Sequence, residues 1–189
     1  VNPLLERHFS ALALPAGERI FLPLCGKTRD IAWLLSQGYR VAGAELSATA
    51  VEELFAELGI APQISPVGAC QRYSGEGIDI FVGDIFSLNS EMLGQIDAIY
   101  DRAALVALPE AMRQRYAAHL ITLTATAPML VLRYEYDQSL AEGPPFSVNE
   151  AELQKLYGSA YQLSTLETLD VEGGLKGKYP ARESVCLAK

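Results

Sequence analysis

Continuous apolar runs alternate along the chain with segments whose apolar residues recur at helical spacing. The runs RIFLPLC (19–25) and IDIFVGDIF (78–86) are typical of buried strands, and residues 48–58 carry an apolar face of helical period. Further strands are predicted within GQIDAIYDRAAL (94–105) and PMLVLRYEYD (128–137). Strands separated by helices of about ten to fifteen residues indicate a mostly parallel sheet with helices on both faces.

The end of the chain departs from this alternation. YQLSTLETLDV (161–171) and ESVCLAK (183–189) are predicted strands with no helix between them. A closing pair of this kind indicates one antiparallel strand at the edge of the sheet. Residues 60–77 are rich in glycine and proline, which predicts turns and, in part of the segment, a small hairpin.

Composition narrows the classes of function. The chain has 189 residues, which suits one domain over residues 1–189, and its first residue is Val1, which indicates a trimmed or partial N-terminus. A net charge of −8 disfavours nucleic acid as a ligand, and no apolar stretch approaches the ~18 to 20 residues of a membrane helix. Three widely spaced cysteines without a C-x-x-C pair argue against a metal site or disulfide framework and favour a reducing cytoplasm.

The loop after the first strand, LCGKTRD (24–30), has the position of a nucleotide-binding loop but an unusual glycine pattern. A dinucleotide loop needs G-x-G-x-x-G, and only Gly26 is present here. A P-loop needs a glycine at position 21, which is occupied by Phe21. Bound ligands with a pyrophosphate or triphosphate are therefore disfavoured.

An acid follows at the end of the next predicted strand, RVAGAEL (40–46). Glu45 lies about twenty residues after Gly26, where an acid binds the ribose hydroxyls of an adenosyl group. This combination suits an adenosine ligand without phosphates, of which S-adenosyl-L-methionine is the common one. On spacing alone, a solvated strand end at Glu45 and a plain turn at Gly26 explain the pattern equally well.

Two more predicted strands end in charged residues. Asp84 and Ile85 follow the third strand, and Asp101 and Arg102 follow the fourth. The carboxyl ends of the central strands form the ligand crevice of a doubly wound sheet. Three such ends favour a binding site, although an adjacent Asp and Arg also form a plain ion pair in many proteins.

The motifs PLCGK, GAELS, GDIF, DRAALVALP and GPPF, in this order and spacing, closely resemble the thiopurine S-methyltransferases, in particular their bacterial branch. The similarity covers nearly the whole chain. It implies a class I adenosylmethionine-dependent methyltransferase fold, which is Rossmann-like, with a doubly wound seven-stranded sheet whose last strand is antiparallel. It also implies a monomer that transfers the methyl group of S-adenosyl-L-methionine to sulfur of small aromatic or heterocyclic thiols. Bacterial members are further associated with selenium and tellurium compounds.

The resemblance implies roles for individual residues. Leu24 contacts the cofactor through its backbone beside Gly26, and Glu45 binds the ribose. Asp84 and Ile85 flank the adenine. Arg102 lies at the cofactor and acceptor end of the pocket, where it stabilises the acceptor anion or pairs with the cofactor carboxylate. Family members also carry an aromatic-rich segment before VNPLL that covers the site, and its absence here predicts weak cofactor binding and poor turnover.

Other side chains have open interpretations. Phe146 is either a pocket wall or part of a plain connector, and Lys176 and Lys178 either add positive charge near the acceptor or are solvated loop charges. Tyr134 and Tyr136 either face the acceptor or simply pack. We expect neither His8 nor His119 to act as a base, Cys25 to be a small core residue, and Trp33 to be a core residue.

Two other functions compete with methyl transfer. One is a non-catalytic adenosylmethionine-binding domain. The other is an NAD-dependent oxidoreductase, which the glycine pattern disfavours. No tyrosine of the chain is followed four residues later by lysine, so the short-chain-type catalytic pair is absent as well.

Overall fold

The computed structural model describes residues 1–102 and 104–189. The helices of this part are α1 (Pro3–His8), α2 (Arg29–Ser36), α3 (Ala48–Leu58), α4 (Ser90–Leu93), α5 (Ala104–Ala107), α6 (Glu110–Leu123) and α7 (Glu150–Tyr157). Its strands are β1 (Arg19–Leu22), β2 (Arg40–Glu45), β3 (Gln63–Val67), β4 (Cys70–Gly75), β5 (Ile78–Val82), β6 (Ala98–Asp101), β7 (Met129–Tyr136), β8 (Leu163–Asp170) and β9 (Ala181–Ala188).

The strands form one sheet in the order β3-β4-β5-β2-β1-β6-β7-β9-β8. Its centre, from β5 through β2, β1 and β6 to β7, is parallel throughout. Only β4 and β9, among the strands of the described residues, run in the opposite direction. After β1 the chain builds one half of the sheet, and it returns to the other side of β1 with β6. This reversal opens a crevice at the carboxyl ends of β1, β2, β5 and β6.

The expected fold class is confirmed as a mostly parallel α/β sheet, but the expected count of seven strands is wrong. Within the described part of the chain the sheet has nine strands, because residues 63–75 form the hairpin β3–β4 that pairs with β5. The hairpin covers an edge of β5 that would otherwise expose unpaired backbone groups. Pro66 is tolerated in β3 because β3 is itself an edge strand.

The last strand is antiparallel, as expected, but it does not lie at the edge. β9 pairs with β7 on one side and with β8 on the other, so β8 is the edge strand. Inserting β9 between them gives its backbone two complete ladders. Its alternating buried residues, such as Val185 and Cys186, therefore contribute to both faces of the core.

Two apolar layers enclose the sheet. Along β1, Ile20 and Leu22 face a layer formed with α1, α2 and α3, while Phe21 faces the layer formed with α5, α6 and α7. Trp33 packs at the border of the first layer with its ring edge-on to Phe9 at 5.6 Å, in keeping with the expected core position. Among the described residues, no helix has both the length and the apolarity needed to cross a membrane.

Candidate active site

The loop after β1 turns sharply back over the sheet. Leu24 and Gly26 both have left-handed backbone conformations, with φ of 46° and 54°. Such a conformation is uncommon for leucine, and strained backbone of this kind tends to occur at ligand sites. The amide of Cys25 donates to the carbonyl of Ala44 at 3.0 Å, which ties the loop to β2. Thr28 then caps α2.

Glu45 joins the ends of three strands. Its carboxylate accepts hydrogen bonds from the amides of Gly26 (2.8 Å) and Ser47 (2.9 Å). Its backbone carbonyl accepts one from Gly83, after β5, at 2.9 Å. A carboxylate has about four lone-pair sites, so Glu45 keeps acceptor capacity for two further hydroxyl groups. Leu46, the next residue, is 74% exposed.

Gly43 allows this close packing behind the loop. A Cβ atom at Gly43 would lie 2.7 Å from Cδ1 of Ile80 and 2.8 Å from Sγ of Cys25. Cys25 is buried, and burial together with the charge of Glu45 raises the pKa of its thiol. The thiol therefore stays protonated at neutral pH, in keeping with a packing role.

The loop after β5 supplies a second wall of the crevice. Asp84 is exposed and accepts a hydrogen bond from the amide of Phe86 at 2.9 Å, which caps the short 3₁₀ turn Ile85–Ser87. Ile85 packs its side chain into the core. Its amide is the first of the turn and has no acceptor within it, so the backbone of Ile85 is the part suited to bind a ligand.

His119, which the sequence analysis did not place in a site, supports this second wall from α6. Its Nε2 donates to the backbone carbonyl of Ile85 at 2.8 Å. The centre of the Phe86 ring lies 3.9 Å from the guanidinium of Arg115 and 5.5 Å from the centre of the His119 ring. No local spacing connects residues 85 and 119, and only the packing of α6 on the sheet brings them together.

Arg102 and Asp101 diverge at the end of β6. Nη1 of Arg102 donates to Oγ1 of Thr28 at 3.0 Å and to Oδ2 of Asp30 at 3.4 Å, and the side chain is 43% exposed. Arg102 therefore reaches the start of α2, beside the loop that holds Leu24. Asp101 is completely buried, so it lies outside the crevice and is not the ion-pair partner of its neighbour.

The buried carboxylate of Asp101 organises the turn that follows it. It accepts hydrogen bonds from the amides of Ala104 (3.0 Å) and Leu105 (3.2 Å) and from the hydroxyl of Tyr116 (2.7 Å). Burial nevertheless raises its pKa to about 6, because the loss of hydration outweighs these hydrogen bonds. The carboxyl group organises the turn through these hydrogen bonds and does not face a ligand.

Tyr134 lies on β7, close enough to Arg102 for the charge of the guanidinium to act on its hydroxyl. Burial, with a smaller effect of Glu183 on the neighbouring strand, raises its pKa to about 12, while the charge of Arg102 acts in the opposite direction. Lys176 and Lys178 are exposed on the loop between β8 and β9, and Nζ of Lys178 lies 5.1 Å from the Tyr179 ring centre.

Phe146 lines a separate cleft of about 1220 Å³ between α6, α7 and the loop after β7. Arg113 lies 5.6 Å from its ring centre and pairs with Glu152 at 2.6 Å. The hydroxyl of Tyr136, in the same wall, donates to Pro145 at 2.7 Å. Phe146 therefore forms a wall of this cleft, whose lining residues do not include those of the crevice at the strand ends, and Tyr136 packs against its loop.

His8, the other histidine considered from the sequence, lies away from the crevice. Nε2 of His8 is 2.6 Å from Glu167 on the edge strand β8. Within residues 1–102 and 104–189, no group of three or more His, Cys, Asp or Glu side chains could hold a metal ion.

The reversal of the sheet at β1 and the acid at the end of β2 are features of Rossmann-like folds that bind an adenosyl group. The solved structure of a SAM-dependent methyltransferase from Methanosarcina mazei is similar over 100% of this chain and 98% of its own, with a TM-score of 0.71 and 16% identity. Magnesium protoporphyrin IX methyltransferase from Synechocystis, solved with SAH, is similar over 100% and 88%, with a TM-score of 0.63 and 16% identity.

The chain belongs to the thiopurine S-methyltransferase family, whose model matches residues 1–182. It is 58% identical over 186 residues to the thiopurine S-methyltransferase of Xanthobacter autotrophicus, covering 98% of this chain and 87% of the relative. It is 54% identical over 184 residues to that of Gluconobacter oxydans, covering 97% and 84%. The family expected from the sequence motifs is thereby confirmed.

Proposed function

We propose that this protein transfers the methyl group of S-adenosyl-L-methionine to the sulfur of a small aromatic or heterocyclic thiol, as a thiopurine S-methyltransferase. Membership of the family and the names of the relatives support this activity. The observation that carries it in the structure is the carboxylate of Glu45, which holds the Gly26 loop and retains acceptor capacity at the carboxyl end of β2.

The crevice fits an adenosyl cofactor without phosphates. Glu45 would accept hydrogen bonds from the ribose hydroxyls, and Asp84 and the backbone of Ile85 would bind the adenine. Leu24 and Gly26 would present backbone groups to the amino-acid part. A single glycine in the loop leaves little room for a pyrophosphate, which argues against NAD.

The bound cofactor supplies an electrophilic methyl group on a sulfonium. Methyl transfer of this kind is an in-line displacement, so the protein acts mainly by holding the acceptor sulfur in line. The thiolate is the nucleophilic form of a thiol, and an arginine favours it by charge-assisted hydrogen bonding. We assign this role to Arg102, whose partly exposed guanidinium donates to Thr28 at the start of α2, beside the cofactor loop.

Several finer properties belong to the same proposal. We include selenium and tellurium compounds among the acceptors, because their anions are nucleophiles of the same kind as a thiolate. The net charge of −8 supports a protein that does not bind nucleic acid. We further propose that residues 1–189 form one domain acting as a monomer in the cytoplasm, following the sequence expectation.

Calorimetric titration with S-adenosyl-L-homocysteine, the demethylated form of the cofactor, tests the binding site, with NAD as the matched control. We expect the first ligand alone to bind. Incubation with S-adenosyl-L-methionine and an aromatic thiol, followed by mass spectrometry, should then detect the thioether. Binding without any methylated thiol would favour a non-catalytic binding domain, and failure of both measurements would overturn the proposal.

A further inference from the structure

Asp30, in the first turn of α2, is a buried carboxylate with partners from three parts of the chain. Its side chain is 1% exposed. Oδ1 accepts a hydrogen bond from the backbone amide of Asn2 at 2.8 Å. Oδ2 accepts one from the hydroxyl of Tyr100 at 3.1 Å and one from Nη1 of Arg102 at 3.4 Å.

A buried carboxylate of this kind needs a cationic partner, since removing it from water is costly unless the charge is paired. Among the described residues, Arg102 supplies the cation within salt-bridge distance of Asp30. The amide dipoles at the start of α2 add a favourable field. The position of the Arg102 guanidinium is therefore tied to a carboxylate that cannot itself move into solvent.

Only Nη1 of Arg102 is engaged by the described residues, through Asp30 and Thr28. A guanidinium has five N–H donors in a rigid fork, so the other donors stay available to an anion. Because the contacts with Asp30 and Thr28 already restrict the Arg102 side chain, it loses less conformational entropy when it binds an anion. A pre-positioned fork of this kind is suited to hold a reacting group in line.

The same carboxylate also fixes the beginning of the chain. The backbone amide of Asn2 donates to Asp30. In the side chain of Asn2, Nδ2 lies 3.5 Å from Glu183, and Oδ1 accepts a hydrogen bond from the amide of Leu4, which caps α1. Asn2 therefore ties the start of α1 to the same carboxylate that binds Arg102.

We propose that Asp30 is a positioning residue for methyl transfer, which holds Arg102 at the crevice and fixes the start of the chain beside it. This role rests on the proposed function. It predicts that Asp30 acts on catalysis through Arg102 and does not touch the substrate. Removing its charge should therefore reduce turnover only while Arg102 is present.

The test is a double-mutant cycle with Asp30→Asn and Arg102→Met, in which kcat/KM for an aromatic thiol is measured. Asp30→Asn alone should lower kcat/KM on the order of 10- to 100-fold, the effect of a misplaced catalytic group. In the Arg102→Met background it should change kcat/KM by less than about twofold. Asp79→Asn is the matched control, because Asp79 pairs with Arg19 (2.8 Å) at the opposite end of the strands, and it should leave kcat/KM unchanged.

Denaturation gives a second measurement that does not depend on activity. Arg102→Met leaves the carboxylate of Asp30 buried without its cation, so the denaturation midpoint of this variant should lie below that of the wild type. Adding Asp30→Asn to Arg102→Met should restore part of that loss. An active wild-type protein in which Asp30→Asn lowers kcat/KM equally in both backgrounds would overturn the positioning role alone. A wild-type protein that neither binds S-adenosyl-L-homocysteine nor methylates thiols would overturn the proposed function and this role with it.

Discussion

The side chain of Glu45 accepts a hydrogen bond from the amide of Gly26 at 2.8 Å, across the gap between two neighbouring strand ends. The carboxylate of Glu45 therefore has two functions. It holds the loop after β1 in its left-handed conformation, and it presents the remaining lone pairs at the crevice. Shape of the loop and affinity for a ribose therefore depend on the same group.

Replacing Glu45 with glutamine should weaken the binding of S-adenosyl-L-homocysteine. The amide group keeps the shape of the side chain but replaces one acceptor oxygen by a donor, which then faces the amide of either Gly26 or Ser47. We expect a loss of about 1–3 kcal/mol in binding free energy, measured by calorimetry. Glu52→Gln, on the exposed face of α3, is the control and should bind as the wild type does.

Gly43→Ala should lower both stability and cofactor affinity. The added methyl group would overlap Ile80 and Cys25, so β5 and the cofactor loop have to separate. Overpacking of this kind costs about 1–3 kcal/mol in the free energy of unfolding, measured by urea denaturation. Adding Cys25→Ala and Ile80→Val, which remove the two overlapping atoms, should recover part of the loss. No recovery would mean that the clash is not the cause.

The central sheet and its binding edge could be predicted because their signals are local. Apolar runs of strand length, helices between them and an acid after the second strand are each visible over a few residues. Glu45 ends β2, Asp84 lies two residues after β5 and Arg102 follows β6, so the parallel topology alone brings them to one edge. Asp101 is expected at the same edge, but the structure buries it. Sequence alone does not show which of two adjacent residues faces the core.

The remaining features depend on contacts between distant residues. The small hairpin expected within residues 60–77 does form, but its place in the main sheet could not be predicted, because β3 has no buried residue and β4 has only Cys70 and Tyr73. The contacts of Ile85 with His119 and of Asp30 with Arg102 span 34 and 72 residues. No helical or strand period connects such positions.

His119→Ala should reduce affinity for S-adenosyl-L-homocysteine without removing it. The imidazole fixes the carbonyl of Ile85 and packs on Phe86, so its loss frees the backbone that we propose binds the adenine. Loss of one hydrogen bond predicts about 0.5–1.5 kcal/mol weaker binding by calorimetry. His8→Ala is the matched control because it removes the chain's other histidine, whose partner Glu167 lies on β8. Equal effects of the two substitutions would contradict a local role for His119.

The raised pKa of Asp101 predicts a specific dependence of stability on pH. Its pKa is raised by burial from 3.8 to about 6, so the folded state binds this proton more tightly than the unfolded state does. The stabilisation from this group is therefore fully present below about pH 4 and is lost as pH rises to about 6. Other groups titrate in the same range, so the effect has to be isolated with a variant.

Asp101→Asn provides that reference because it cannot titrate. The free energy of unfolding of the wild type, minus that of the variant, should fall by on the order of 3 kcal/mol between pH 4 and 6 and stay level above. Tyr116→Phe removes a hydrogen bond that lowers this pKa, so the same fall should extend to higher pH. A difference that instead rises with pH in this window would mean that the three hydrogen bonds outweigh burial and that the carboxylate is the favoured form.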